Sequence, residues 1–314
     1  MKKSLILAES PLQLLNAYEV IQHFKLENYT LLVRFSKKYG NDSQLSSVLE
    51  KLSFDHDNVI KLSVSAGKRN VVDYLKLLSI RVLSVFAVYK YKNVYSGNYD
   101  SGFFRLIVKR FQRNDVFLLD DGNKSIRIQS EFSKENFLHL FTMFDLRPFA
   151  GQKIIKNDYS SIRALGNNAG HANDKVLFLG SGMSEIGIVT EAYYLKLIRS
   201  ISNHYEALGL KVIYVPHRAE TESKLREIQS SHNVEITRLN YPIELFGIYQ
   251  DFKPALICSF CSTAILTVKM IYDVEVECFH FDYEATPDKH ELDSIYDYYE
   301  KCGVNVIRVD EYVA

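Results

Sequence analysis

Apolar runs too short to be helices alternate with longer stretches of helical periodicity along almost the whole chain, and few folds accept that order. In the N-terminal half, residues 3–9, 29–35, 58–64, 92–96 and 115–121 read as strands. Residues 12–24, 43–52, 71–89 and 101–111 read as helices between them. The order resumes after residue 174, with strands expected over 175–179, 211–215, 234–239, 255–259, 275–281 and 304–309. Helices are expected over 188–202, 220–230, 242–251, 263–272 and 289–302. Strands that alternate with helices predict a parallel, doubly wound α/β sheet. A chain of 314 residues is long for a single core, so two such domains facing each other across a cleft are expected.

The pattern loosens between the halves. Residues 125–129 alternate like a short strand, 136–144 look helical, and Arg147-Pro148 breaks the run. Residues 167–174 are small and polar, which puts the interdomain linker there and divides the chain into domains 1–170 and 171–314.

Charge narrows the partners. Lys plus Arg and Asp plus Glu both number 38, so no global field attracts nucleic acid, and an anionic ligand must be held by a local site. Cys258 and Cys261 form a C-x-x-C, but no second pair completes a zinc site, so buried thiols and a reducing, cytoplasmic location are expected. The apolar start reaches Glu9 without a cleavage site for a signal peptide. The most apolar segment, residues 75–91, is interrupted by Lys76 and Arg81 and falls short of the ~20 residues that span a bilayer. It reads as a buried helix, and any membrane contact would be peripheral.

Polar residues collect where apolar runs end, which is where open α/β sheets hold ligands. The run 211–215 stops at Pro216, His217 and Arg218, with Glu220 following, and so presents an imidazole beside a fixed cation. Ser181, Gly182 and Glu185 follow the run 175–179 and open a helix whose amides suit an anion. Glu185 fills the third glycine position of G-x-G-x-x-G, which leaves a dinucleotide site poorly supported. Ser259, Ser262 and Thr263 precede a late helix and offer hydroxyls to a phosphate, or simply an N-cap. Asp120-Asp121-Gly122 places adjacent carboxylates on opposite faces of a strand end, so one can face a ligand while the other braces the loop. Ser10 before Pro11 caps the first helix, Gln13 lies in its first turns, and Gly97-Asn98 ends the fourth strand.

Together these motifs resemble the bacterial sialyltransferases of GT-B fold, and most of all glycosyltransferase family 52 and its polysialyltransferase relatives. The resemblance rests on Glu9-Ser-Pro-Leu-Gln-Leu-Leu-Asn16, the acidic pair with Gly122, Pro216-His-Arg-Ala-Glu220, and the Ser262-Thr263 pair. It implies an N-terminal acceptor-side domain and a C-terminal domain that binds CMP. It implies transfer of sialic acid from CMP-sialic acid to a hydroxyl of a bacterial surface glycan, lipooligosaccharide or capsule, with inversion. In that scheme Asp120 is the base, with Asp121 beside it and Glu185 as the rival. His217 donates to the departing phosphate, Ser262 and Thr263 cradle it, Arg218 assists its charge, and Glu220 orients His217. No cofactor is required, because a departing monophosphate can be met by an imidazole, hydroxyls and helix amides without a metal. The family's usual His-Pro order is reversed here to Pro216-His217. A UDP-sugar 2-epimerase and a non-catalytic nucleotide-binding protein are the alternatives. The sequence says nothing of oligomeric state.

Overall fold

The computed structural model describes residues 3–65, 67–112, 115–123, 125, 138–166, 170–231, 234–250, 252–283, 286 and 289–309. The chain forms two compact units. One comprises residues 1–162 with 240–242, the other 163–239 with 243–314.

The first unit is built on a seven-stranded sheet. Its strands are β1 (Lys3–Ala8), β2 (Tyr29–Phe35), β3 (Val59–Ser63), β4 (Tyr91–Ser96), β5 (Val116–Leu119), β6 (His139–Thr142) and β7 (Ile154–Lys156). The spatial order is β3-β2-β1-β4-β5-β6-β7, and every pairing is parallel. Ile6, Leu7, Val33 and Val94 are fully buried, which explains why these strands are apolar without alternation. The connecting helices are α1 (Pro11–His23), α2 (Tyr39–Lys51), α3 (Val71–Lys90) and α4 (Gly102–Val108), and α5 (Ser160–Leu165) follows β7 and straddles the boundary at residue 162. Helix α1 starts as its sequence directs: Pro11 occupies the first turn, and Ser10 Oγ accepts from the Gln13 amide at 3.4 Å.

The second unit carries a six-stranded parallel sheet in the order β10-β9-β8-β11-β12-β13. Its strands are β8 (Gly170–Leu179), β9 (Lys211–Val215), β10 (Val234–Ile236), β11 (Phe252–Ser259), β12 (Glu275–His280) and β13 (Asn305–Arg308). They alternate with α6 (Glu191–Ala207), α7 (Glu222–Ser231), α8 (Phe246–Tyr249), α9 (Ala264–Tyr272) and α10 (Lys289–Lys301). Pro254 cannot donate to the ladder, and the β11–β8 register shifts between Pro254 and Leu256. Phe178 of β8 stacks on Tyr214 of β9 with centroids 5.5 Å apart and meets Phe260 edge-on, which fills the core beneath the ends of these strands.

Three expectations are corrected and one strand is added. Residues 138–144 are not helical: His139–Thr142 is the buried strand β6, and a short apolar run of this kind fits either element until a sheet claims it. β7 was not anticipated. Residues 170–174 are not linker but the first half of β8, because β11 extends far enough to pair with them. Of the segment 75–91, residues 75–90 are helical but not buried, and Tyr91 already opens β4. Within α3 only Asp73 and Ser84 are buried outright. The short strand expected over 125–129 lies, apart from Ser125, outside the described residues.

Candidate active site

In each unit the strand order reverses once, and the predicted residues gather at those reversals. In the first unit β2 and β3 lie on one side of β1, while β4 to β7 lie on the other, so the switch falls between β1 and β4. Glu9, Ser10 and Gln13 follow β1, and Gly97 and Asn98 follow β4. In the second unit the switch falls between β8 and β11. Ser181, Gly182 and Glu185 follow β8, Ser259 closes β11, and Ser262 and Thr263 follow it. His217 follows β9, the next strand over. Carboxyl-terminal ends of strands at a switch point are where open α/β sheets form ligand crevices, because the two flanking loops diverge there.

The first-unit cluster is a connected polar network. Gln13 Oε1 accepts from the Glu9 amide at 2.9 Å, and Gln13 Nε2 donates to Asp121 Oδ1 at 2.7 Å. Glu9 Oε2 pairs with Arg34 Nη1 at 2.7 Å and accepts from Ser101 Oγ at 3.2 Å, while its Oε1 accepts from Asn98 Nδ2 at 3.1 Å. Gly97 is required here, since a Cβ would lie 2.5 Å from Gln13 Oε1. Asn16 shares a face of α1 with Gln13 and donates to the Asp120 carbonyl at 3.0 Å. The motif Glu9 to Asn16 is therefore a clamp on the acidic pair. Arg34 and Ser101 were not foreseen, and no local pattern in the sequence marks them.

The acidic pair divides as strand geometry requires, one carboxylate buried and the other half-buried. Asp120 is 1% exposed, and its two oxygens accept from Thr142 Oγ1 at 2.6 Å and the Met143 amide at 2.7 Å. Burial pushes its pKa up to about 6, against the lowering effect of these bonds. Asp120 thus ties β5 to the end of β6. Asp121 is half-buried, with its carboxylate turned toward Gln13. The left-handed Gly122, at φ 72°, turns the chain away after it.

In the second unit the loops after β8 and β9 are joined by a lysine. Lys224 is 0% exposed, with Nζ 3.0 Å from both Glu220 Oε1 and Glu185 Oε2 and 3.9 Å from the centre of the Tyr194 ring. It also donates to Ser184 Oγ at 2.9 Å. Glu220 accepts from Tyr214 Oη at 2.5 Å and from the His217 amide at 2.7 Å. It thus holds the main chain of His217 rather than its ring. Burial raises the Glu220 pKa, against the bonds from Tyr214 and Lys224. Burial also works to raise the Glu185 pKa, but the hydrogen bond and charge of Lys224 bring it below the usual range. Gly180 has no room for a side chain: a Cβ would lie 2.3 Å from Glu220 Oε2 and 2.6 Å from the Tyr214 hydroxyl. Sequence reasoning missed Lys224, although its i+4 spacing from Glu220 was a usable signal.

His217 lies at the edge of this network. The Ala219 amide donates to His217 Nδ1 at 3.2 Å, which assigns the proton of the neutral ring to Nε2. The residue is solvent-exposed overall, but its ring stands close to Gly182 and Ala219, and this partial desolvation lowers its pKa, helped by the charges of Arg218 and Lys224. The result is a neutral imidazole whose Nε2–H is a donor. Pro216 ends β9, and Arg218 is exposed beside the ring. Ser181 donates its amide to Tyr194 Oη at 3.0 Å, while its buried Oγ finds no partner among the described residues.

The late hydroxyl cluster splits. Ser259 is fully buried and donates to the Leu179 carbonyl at 2.6 Å, stitching β11 to β8, so it belongs to the fold. Ser262 and Thr263 are half-buried at the start of α9, and Thr263 makes no side-chain cap bond to that helix. Of the C-x-x-C pair, Cys258 is fully buried and Cys261 half-buried, and burial pushes the Cys261 thiol up to about 11. Both are unreactive thiols of the core edge.

Residues 4–278 match the sequence profile of the alpha-2,8-polysialyltransferase family. The chain belongs to that family. A match over most of the chain, with the acidic, histidine and hydroxyl clusters all at strand ends, makes this polysialyltransferase-family protein a glycosyltransferase of the sialyltransferase type. No curated protein sequence matches it significantly. In solved structures it is similar to UDP-GlcNAc 2-epimerase from Methanocaldococcus jannaschii, with a TM-score of 0.59 and 14% identity over 100% of this chain and 90% of that one. It is also similar to MurG of Acinetobacter baumannii, with a TM-score of 0.51 and 12% identity over 99% and 87% of the two chains. UDP-GlcNAc 2-epimerase of Neisseria meningitidis gives a TM-score of 0.54 and 13% identity over 96% and 91%. At such identities the likeness establishes the fold: two parallel-sheet α/β domains of GT-B type.

Proposed function

We propose that this polysialyltransferase-family protein transfers sialic acid from CMP-sialic acid to a hydroxyl of a bacterial surface glycan, lipooligosaccharide or capsule, with inversion and without a metal. The second unit binds the CMP moiety and the first presents the acceptor, at the cytoplasmic face of the inner membrane. The observation that carries the reading is the tautomer of His217. With Nδ1 occupied by the Ala219 amide, the exposed His217 keeps Nε2–H as its donor, one strand from the switch point. The orphan hydroxyl of Ser181 and the Ser262-Thr263 start of α9 flank that point and supply further donors suited to a monophosphate.

In the reaction, a carboxylate takes the proton of the acceptor hydroxyl as its oxygen attacks the anomeric carbon. The bond from that carbon to the phosphate oxygen breaks, and CMP leaves with the electron pair. The lowered pKa of His217 favours hydrogen bonding to the phosphate over full protonation. For the base we favour Asp121, since both oxygens of Asp120 are committed to β6 and Glu185 is neutralised by Lys224. The test is turnover of CMP-sialic acid by single variants. His217→Ala and Asp121→Asn each reduce kcat by about 10²-fold or more. Near-wild-type turnover in both variants refutes the site, and loss of turnover in a folded Asp120→Asn alone returns the base to Asp120.

A further inference from the structure

Helix α3 is turned inside out. Ten of its apolar side chains are each 45–75% exposed. Val71, Leu75, Leu78, Val82, Phe86 and Tyr89 follow at spacings of three and four and form one stripe along its 20 residues, about 30 Å in length. The opposite side packs Leu77, Ile80 and Ala87 against the apolar core beside α4. Contiguous apolar surface of this extent marks a contact with something else.

Charge identifies what that is. Residues 67–92 contain six cations, Lys68, Arg69, Lys76, Arg81, Lys90 and Lys92, in a chain whose net charge is zero. The one acid in that segment, Asp73, is buried, capping the helix with Asn70 and pairing with Lys37 at 2.9 Å. On a helical projection Lys76 and Arg81 fall on opposite flanks of the apolar stripe. A second copy of this face would bring cation against cation with no exposed acid to answer it. An apolar stripe with aromatics and flanking cations, on a helix fixed by its other side, is suited to lie in the interface of an anionic bilayer. No described helix is long and apolar enough to cross a membrane.

We propose that α3 docks this protein onto anionic lipid, with the stripe embedded at the headgroup level and the cations on the phosphates. The inference rests on the exposed face alone and stands whatever the donor proves to be. Its test is co-sedimentation of the full chain with vesicles of phosphatidylcholine, and with vesicles of equal parts phosphatidylcholine and phosphatidylglycerol. The wild type partitions to the anionic vesicles in preference to the neutral ones, and added salt weakens that preference. The pair Leu78→Glu and Phe86→Glu lowers anionic partition more than about tenfold, as loss of two embedded side chains requires, with unchanged circular dichroism. Arg81→Gln with Lys90→Gln removes the preference for phosphatidylglycerol. Equal partition of wild type and the double glutamate variant overturns the proposal. So does a dimer in sedimentation velocity that those glutamates dissolve while no vesicle binds.

Discussion

Replacing Lys224 by methionine isolates the charge of the buried cation that joins the loops after β8 and β9. Methionine preserves most of the volume and leaves a polarizable group over the Tyr194 ring, so little cavity cost enters. What is lost is the partner of two carboxylates, Glu220 and Glu185, each 3.0 Å from Nζ. Breaking a buried pair from one side costs about 3–5 kcal/mol, because the remaining charge is left uncompensated. For a unit of the size of the second, residues 163–239 with 243–314, that corresponds to a fall of roughly 6–20 °C in its Tm. The loss also has a pH signature. Without the cation the Glu220 pKa, already raised by burial, rises further, and that of Glu185 rises as burial takes over. Stability of that kind is present below the unfolded value and is withdrawn as pH rises through the folded one. The deficit is therefore largest near neutrality and shrinks as pH falls toward about 4.3. Urea denaturation followed by circular dichroism at about pH 7 and about pH 4.5 measures both. A deficit under about 1 kcal/mol at neutral pH, or the same deficit at both values, refutes the charge-clamp reasoning.

Two further outcomes follow from the same electrostatics. Asp120, with its pKa raised to about 6 from 3.8, holds stability that is full below about pH 4 and declines as pH rises through about 6. Up to about 3 kcal/mol is at stake, so the unfolding free energy of Asp120→Asn is flatter than wild type across that window. For His217, the Arg218 charge helps to keep the pKa low. Arg218→Gln therefore moves the acidic limb of the kcat/KM profile upward in pH, and an unmoved limb removes His217 from the rate-determining ionisation.

How much of this was legible in the residues depends on what each signal measures. The apolar runs gave the parallel strands because burial on both faces leaves no alternative composition, as Ile6 and Leu7 show. His139–Thr142 escaped because so short an apolar run has no period of its own. The helix expected over 71–89 is present, but the burial expected over 75–91 is not. Hydropathy counts apolar side chains without saying which way they face, and here the stripe faces outward. The acidic pair was legible as one inward and one outward carboxylate, but which was which depended on Thr142 and Met143, beyond local reach. Lys224 was hidden because lysine is ordinarily solvated, and only its two glutamates explain its burial.

The central claim is sialyl transfer from a CMP donor, and product analysis tests it most directly. The purified protein is incubated with CMP-sialic acid and an oligosialic acid acceptor, with and without EDTA, and with UDP-GlcNAc in a parallel reaction. Acceptor chains lengthened by sialic acid, stoichiometric CMP release unaffected by EDTA, and an unchanged UDP-sugar are expected. Epimerised UDP-sugar with no CMP released would contradict that claim.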